Sequence, residues 1–265
     1  IANGTSAIAM GDQARAEQEN AVAIGKESAA IGLNSTAIGS TTGTPRQPVY
    51  TRDANNKITA IDGISVTTTG TGTNLTDITE INGVPVTNTE VNSFVASLSS
   101  GANLSLGKNS IALGTSNLAA GESSVALGDS SKAVAKDAIA IGRNGNASGV
   151  QAISIGAGAQ AAASGALAAG GASSAGRDGA VALGQGAFAN TTAGISIGQN
   201  AGVGTSQGIT NDRTDHIAIG SNSGQNVIGN RNIALGVGAG SNLSADGNGS
   251  SDHNIAIGVN AGSNL

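Results

Sequence analysis

The stretch that decides the fold runs Asn109-Ser110-Ile111-Ala112-Leu113-Gly114, then Ser123-Ser124-Val125-Ala126-Leu127-Gly128, then Asp137-Ala138-Ile139-Ala140-Ile141-Gly142. The closing glycines are 14 apart, and the same phase continues through Gly156, Gly170, Gly184 and Gly198. Upstream, Ile8-Ala9-Met10-Gly11, Val22-Ala23-Ile24-Gly25 and Ala37-Ile38-Gly39 keep the same step of 14. Compositional bias scatters glycine everywhere; it does not hold glycine in one phase. Each run reads large-small-large, rich in β-branched residues, which is the period of a strand and not of a helix. A weaker run fills the rest of the unit, as in Ala119-Ala120-Gly121 or Ala133-Val134-Ala135. A unit of 14 therefore holds two short strands and two turns.

Strands this short are too small for a free-standing hairpin fold. They can stack coil on coil, each pairing in parallel with the same run one unit later, at about 4.8 Å of rise per coil. The expected fold is an all-β parallel β-roll, a solenoid of 14-residue coils. Bulky Ile, Val and Leu are expected inside it, with Ala and Ser on a spare face where a second backbone can approach closely. That face predicts self-association along the rod, most simply with cyclic symmetry, without choosing dimer from trimer. Asn20, Asn34, Asn109, Ser123 and Asp137 stand five residues before a closing glycine. These residue types favour turns and tolerate left-handed backbone.

Composition narrows the function. The 265 residues include 42 Gly, no Cys, no Trp, one Met and three aromatics, Tyr50, Phe94 and Phe188. Twelve basic against 17 acidic residues leave a net charge of -5, and there is no basic run to hold nucleic acid or anionic lipid. Without Cys there are no disulfides, thiolate metal sites or Cys nucleophiles. No apolar run reaches 18 residues, so no helix spans a membrane. The chain opens and closes in mid-pattern and reads as a piece of something longer.

The frame breaks twice. Residues 1–39 and 106–198 hold it, while 40–105 contain all three Pro residues, Pro45, Pro48 and Pro85, with Tyr50 and Phe94. Ile58 to Val66 reads as strand, turn, strand, and Ile81-Asn82-Gly83-Val84 echoes Ile61-Asp62-Gly63-Ile64. This segment is expected to be a β-rich insertion of hairpins docked on the roll, with a short helix as the alternative for Val91 to Leu98. In 199–265 the steps lengthen to 22, 16 and 22, ending at Gly220, Gly236 and Gly258. The runs Ile217-Ala218-Ile219, Ile233-Ala234-Leu235 and Ile255-Ala256-Ile257 persist, so these are coils with longer loops.

Units such as Asn20-Ala21-Val22-Ala23-Ile24-Gly25 and Asn109 to Gly114, followed by Ala or Gly seven residues on, resemble the head repeats of trimeric autotransporter adhesins, the YadA-like head. The resemblance covers residues 1–39 and 106–265. It implies a left-handed roll with three chains side by side, carried on a coiled-coil stalk at a Gram-negative outer membrane. It also implies a virulence-type adhesive role: attachment to host matrix, cells or abiotic surfaces, with autoagglutination or biofilm formation. The insertion and the wider coils depart from a simple head. A phage or other trimeric fibre tip built from the same repeats is the alternative, and a polysaccharide-acting β-solenoid enzyme a remote one.

Catalytic chemistry is thin, and neither a cofactor nor a metal is expected. His216 and His253 stand just before a strand, in Asp215-His216-Ile217 and Asp252-His253-Asn254, and read as surface turns; a place at a three-fold axis, with an ion, is the other option. No Gly-x-Ser-x-Gly elbow stands on a strand-to-helix turn, and the calcium-binding nonapeptide pattern is absent. Acidic residues are dispersed among turns, apart from Asp77 and Glu80. Thr67, Thr69, Thr71 and Thr73 alternate, but on one segment and not coil above coil, so they do not form an ice-binding array. The expected ligand-binding residues are Tyr50, Thr69, Thr71 and Phe94, because aromatic anchors favour interfaces and the insertion breaks an otherwise uniform surface.

Overall fold

A computed structural model describes residues 1–40, 50–61, 64–81, 84–85, 101–202, 216–225, 227, 231–241 and 253–263. Phe94, Pro45, Pro48 and the Val91–Leu98 segment lie outside the described residues. The chain divides into two compact units, Ile1–Ala138 and Ile139–Leu265. Both are parallel β-solenoids, and no α-helix occurs among the described residues.

In the first unit the large-small-large runs form the strands Ile8–Met10, Val22–Ile24, Thr36–Ser40, Ile111–Thr115 and Val125–Asp129. They pair in parallel in that order, in strict repeat register: Ala9 beside Ala23, Ala23 beside Ala37, Ala37 beside Ala112, Ala112 beside Ala126. A second parallel sheet is made of two-residue strands, Arg15–Ala16, Ala29–Ala30, Leu104–Ser105, Leu118–Ala119 and Lys132–Ala133. The second unit repeats the plan with eight first-sheet strands, from Ile139–Ile141 to Ile255–Ile257, and four second-sheet strands, from Asn146–Ala147 to Phe188–Ala189.

The turns are left-handed at every seventh residue. In the first unit Ser6, Gln13, Asn20, Glu27 and Asn34, then Asn109, Ser116, Ser123, Ser130 and Asp137, all have φ between 53° and 58°. Asn, Asp and Ser tolerate this region because a short polar side chain can hydrogen-bond locally. The amide of the turn residue donates to the coil before it, as Asn34 does to the Glu19 carbonyl at 3.0 Å. The closing glycine is required for two reasons. Gly114 has φ +122°, and a Cβ there would lie 2.0 Å from the Gly128 carbonyl oxygen of the next coil. The glycine lets successive backbones stack at strand spacing.

The sidedness of the roll is the reverse of the sequence expectation. Ala23, Ala37, Ala112, Ala126, Ala140, Ala168 and Ala182 are completely buried, as are Ser35, Ser110 and Ser124. The bulky residues of the same strands point outward: Ile141 is half-buried and Ile155 is 42% exposed. Two strands of two and three residues, closed by two tight turns, leave between them only the space of methyl and hydroxymethyl groups. The interior is therefore filled by Ala and Ser, and the branched side chains have room only outside.

Inside the first unit the small residues give way to a polar ladder. Asn117 Nδ2 donates to the Leu113 and Gly128 carbonyls at 2.8 Å each, and its Oδ1 accepts from Ser131 N at 2.9 Å and Ser131 Oγ at 2.8 Å. Asn103, one coil earlier, donates to the Ala112 carbonyl at 2.8 Å and accepts from Asn117 N at 3.2 Å. All these amide groups are buried and satisfied, which makes the ladder stabilising.

Residues 50–85 form a separate five-stranded antiparallel sheet, in the order Val84–Pro85, Ile78–Ile81, Ile64–Thr68, Ile58–Ile61, Tyr50–Arg52. Ile61 pairs with Ile64 and Ile81 with Val84, so two hairpins with two-residue loops repeat each other. The sheet buries Ile58, Ile61, Ile78 and Ile81 in one cluster with Ile31, Leu104, Leu106 and Leu118 of the roll. At the position of Leu104 and Leu118 several other coils carry Arg15, Lys132, Asn146 or Gln160.

Among the described residues of the wider coils the second sheet has no strand. Gly202 and Gly224, with φ +70° and +60°, occupy the place where regular coils begin their second strand. That backbone region is open to glycine and lies off the extended conformation of a strand.

Candidate functional site

Three surfaces distinguish this chain from a uniform rod. The first is the outward face of the first sheet. In the first unit it carries Ile8, Met10, Val22, Ile24, Ile38, Ile111, Leu113, Val125 and Leu127 in two columns, with Met10 62% and Ile8 50% exposed. The second unit has its own two columns, formed by Ile139/Ile141, Ile153/Ile155, Val181/Leu183, Ile195/Ile197 and Ile233/Leu235. Thr36 and Ala169 interrupt them. An exposed aliphatic face on each unit marks an association surface.

The match to known families decides the class of repeat. The family model described as the YadA head domain repeat (2 copies) matches residues 2–28, 105–131, 119–144 and 178–201. The chain carries YadA head repeats. All four matched segments are regular coils, in both units, and the unmatched coils between 145 and 177 keep the same register, with Ile153 beside Leu167. The matched repeat is the one found in the heads of trimeric autotransporter adhesins. No curated protein matches the chain.

The second surface of this YadA-like head is the docked sheet. Tyr50 is 37% exposed on its edge strand. In the same strand, Arg52 Nη1 donates to the Asn56 carbonyl at 2.8 Å and the Thr73 carbonyl at 3.2 Å. Thr69 and Thr71 are exposed and meet at one acid: Thr69 N donates to the Asp77 carbonyl at 2.8 Å, and Thr71 Oγ1 to Asp77 Oδ2 at 3.3 Å. The threonine alternation does not run along one face, because the strand ends at Thr68 and Thr69 to Gly72 form a turn, with Gly72 N donating to the Thr69 carbonyl at 3.1 Å. Phe94 lies outside the described residues.

The third surface lies in the second unit, where the regular coils give way to the wider ones. A cavity of about 30 Å³ opens between Phe188, Ala234, Asn232 and His216. His216 is half-buried here, not a surface-turn residue, whereas His253 is exposed with its Nε2 3.3 Å from Arg231 Nη1. Asp215 and Asp252 lie outside the described residues. Among the described residues no group of three or more His, Cys, Asp or Glu side chains is arranged to hold a metal ion. No described helix is long and apolar enough to cross a membrane.

Two of these features escaped the sequence reading although their signals were present. The bulky residues Leu104 and Leu118, where several other coils carry Arg15, Lys132, Asn146 or Gln160, mark the seat of the docked sheet together with Ile31 and Leu106. The Ala-Gly and Ser-Gly pairs at 201–202, 223–224, 239–240 and 261–262 mark the coils that lose their second strand.

Proposed function

We propose that this chain is the non-enzymatic head of a bacterial surface adhesin and works as a homotrimer. Three left-handed rolls lie side by side and cover one another's aliphatic faces. The exposed columns of Ile, Val and Leu carry the reading. Burying one such side chain is worth about 1.5–3 kcal/mol, and the columns repeat it on every coil. The face inside the trimer is therefore the bulky one, while the Ala and Ser face is already consumed by the roll. A stalk and membrane anchor would present the head at the cell surface, for attachment to host matrix, cells or abiotic surfaces and for autoagglutination or biofilm formation.

In this reading the docked sheet, with Tyr50, Thr69 and Thr71, appears three times per head, so weak contacts sum through multiplicity, and Phe94 is the fourth candidate of the same insertion. The second role for the same seating is to brace neighbouring rolls, and cell attachment separates the two roles. Light scattering tests the assembly: the folded protein is expected at three times 25.2 kDa. A persistent monomer with full β-sheet signal overturns it. Cells displaying the whole adhesin are expected to adhere to at least one of matrix protein, glycan, plastic or glass, and cells lacking it to lose that adhesion.

A further inference from the structure

The two outward sides of the roll in the first unit are chemically unlike. Ala23 and Ala37 of the first sheet and Ala16 and Ala30 of the second meet in one buried cluster. The two sheets therefore share a single interior, and their outer sides point in opposite directions. On the second-sheet side Leu104 and Leu118, with Ile31 and Leu106, are packed under Ile58, Ile61, Ile78 and Ile81 of the docked sheet. None of these eight residues is more than 7% exposed. No residue of the first-sheet columns belongs to that cluster. Ile38 and Ile111, on the two strands that flank the insertion, are each 37% exposed. The docked sheet thus covers one side of the roll and leaves the aliphatic side open.

The docked sheet has two sides as well. Residues directly opposite in an antiparallel pair share a side. Tyr50 pairs with Ile61 and Arg52 with Ile58, so both stand on the side turned to the roll. The other side carries Thr51, Thr59 and Thr67, all exposed, and the half-buried Thr79. Thr59 Oγ1 donates to the Thr51 carbonyl at 3.3 Å, and Thr79 Oγ1 to the Thr67 carbonyl at 3.4 Å, so the hydroxyls lean on the next strand. Glu80 pairs with Thr67 on this same side. Among the described residues this side holds no bulky aliphatic group, so it has little to gain from burial against a neighbouring roll.

We infer that in the assembled head the docked sheet stands on the outer side of each roll, clear of the neighbouring chains, with its threonine side outward. It is a displayed surface and not a brace. The inference rests on the homotrimer reading, in which chains bury the first-sheet columns. The chain has no Cys, so single-cysteine variants of the full chain report position one at a time. Ile111→Cys, Leu113→Cys, Thr59→Cys and Thr67→Cys are each oxidised and run on a non-reducing gel. A disulfide needs Cα atoms within about 7 Å, so at least one column cysteine is expected to link chains about tenfold more than either threonine-side cysteine. In the assembled protein a polyethylene-glycol maleimide should label Thr59→Cys and Thr67→Cys as fast as Lys136→Cys, an exposed turn position. Interchain disulfides or slow labelling at the threonine side overturns the placement while the trimer stands, as does a trimer in which neither column cysteine links chains. A protein that sediments as a monomer overturns the homotrimer reading, and the placement with it. If a column variant fails to fold by circular dichroism, the threonine-side labelling decides. The protein lacking residues 41–101, with its apolar seat made polar, gives a second measurement: it is expected to sediment as a trimer, and dissociation would make the sheet a brace after all.

Discussion

Ile111 lies directly beside Thr36 in a parallel pair, although 75 residues separate them. Elsewhere in the unit such partners are 14 apart, as Val22 and Thr36 are. One coil thus carries 61 extra residues between its first strand, Thr36–Ser40, and its second, Leu104–Ser105. The roll closes over the gap as though it were not there, and an exposed amide ladder crosses the junction: Asn20 to Asn34 at 3.0 Å and Asn34 to Asn109 at 3.1 Å.

Removing residues 41–101, which takes out 61 residues, should restore a coil of regular length. Joining Gly39 to Gly107 would not, because it also deletes the Leu104–Ser105 strand. The shortened protein is expected to keep its parallel roll by circular dichroism but to aggregate and bind a hydrophobic dye, since Ile31, Leu104, Leu106 and Leu118 lose their cover. Replacing those four with the Asn, Gln and Ser that other coils carry should return a soluble protein. If the four-fold polar variant is no more soluble than the simple deletion, the docked sheet has another task in folding.

The reversed sidedness makes a second test. Ala140 is completely buried, and Ala140→Leu forces extra volume into a filled interior, at about 1–3 kcal/mol or more. Ile155→Asp sits on the outer face, at 42% exposure. It is expected to weaken the assembly while sparing the fold of the single chain. Sedimentation and thermal melting together separate the two: the first variant should melt early, the second should dissociate. An Ile155→Asp protein that unfolds without dissociating would put that side chain inside after all.

Much of this was legible before any coordinates. The phase of the closing glycines gave the coil, the large-small-large runs its strands, and Asn20, Asn34, Asn109, Ser123 and Asp137 its left-handed turns. Sidedness was not legible from polarity alone, because Ile141 is more hydrophobic than Ala140 and ordinary cores prefer the larger residue. The deciding quantity was the space inside the coil, which depends on strand length: runs of two and three residues enclose too little for a branched side chain. The cavity was hidden for another reason. Asn232 and Asn254 are neighbours only because their coils stack, and His216 reads as a turn until Phe188 is placed beside it.

Glycine substitutions should sort into two classes. Gly114→Ala puts a methyl 2.0 Å from the Gly128 carbonyl oxygen, so the coils must part. Gly165, at φ +65°, has nothing within 4 Å of a built Cβ, and Gly165→Ala meets only the backbone penalty of about 1–2 kcal/mol. Denaturant titration should find the first loss well above the second. Similar losses would mean that backbone conformation, not coil spacing, selects the closing glycine.

The interior ladder gives the last prediction. Asn117 is completely buried, and its side chain makes four hydrogen bonds, to Leu113, Gly128 and twice to Ser131. Asn117→Ala removes them all and strands the Ser131 amide and two carbonyl oxygens in a space too small for bulk solvent. Each orphaned buried group costs about 1–3 kcal/mol, so the loss is expected to exceed that of an ordinary surface change several-fold. Asn117→Ser is expected to recover part of it, because Ser28 already fills the equivalent place two coils earlier, donating to the Ile24 carbonyl at 3.0 Å and the Gly39 carbonyl at 2.7 Å. Hydrogen exchange at the Ser131 amide reads the ladder directly. In the unaltered protein that amide is held by the Asn117 Oδ1 and should be among the slowest; in Asn117→Ala it should exchange faster than the Val125 amide, which keeps its bond to the Ala138 carbonyl at 2.9 Å. Unchanged protection at Ser131 would show that the stacked backbone alone holds these coils, and that the asparagines are passengers in it.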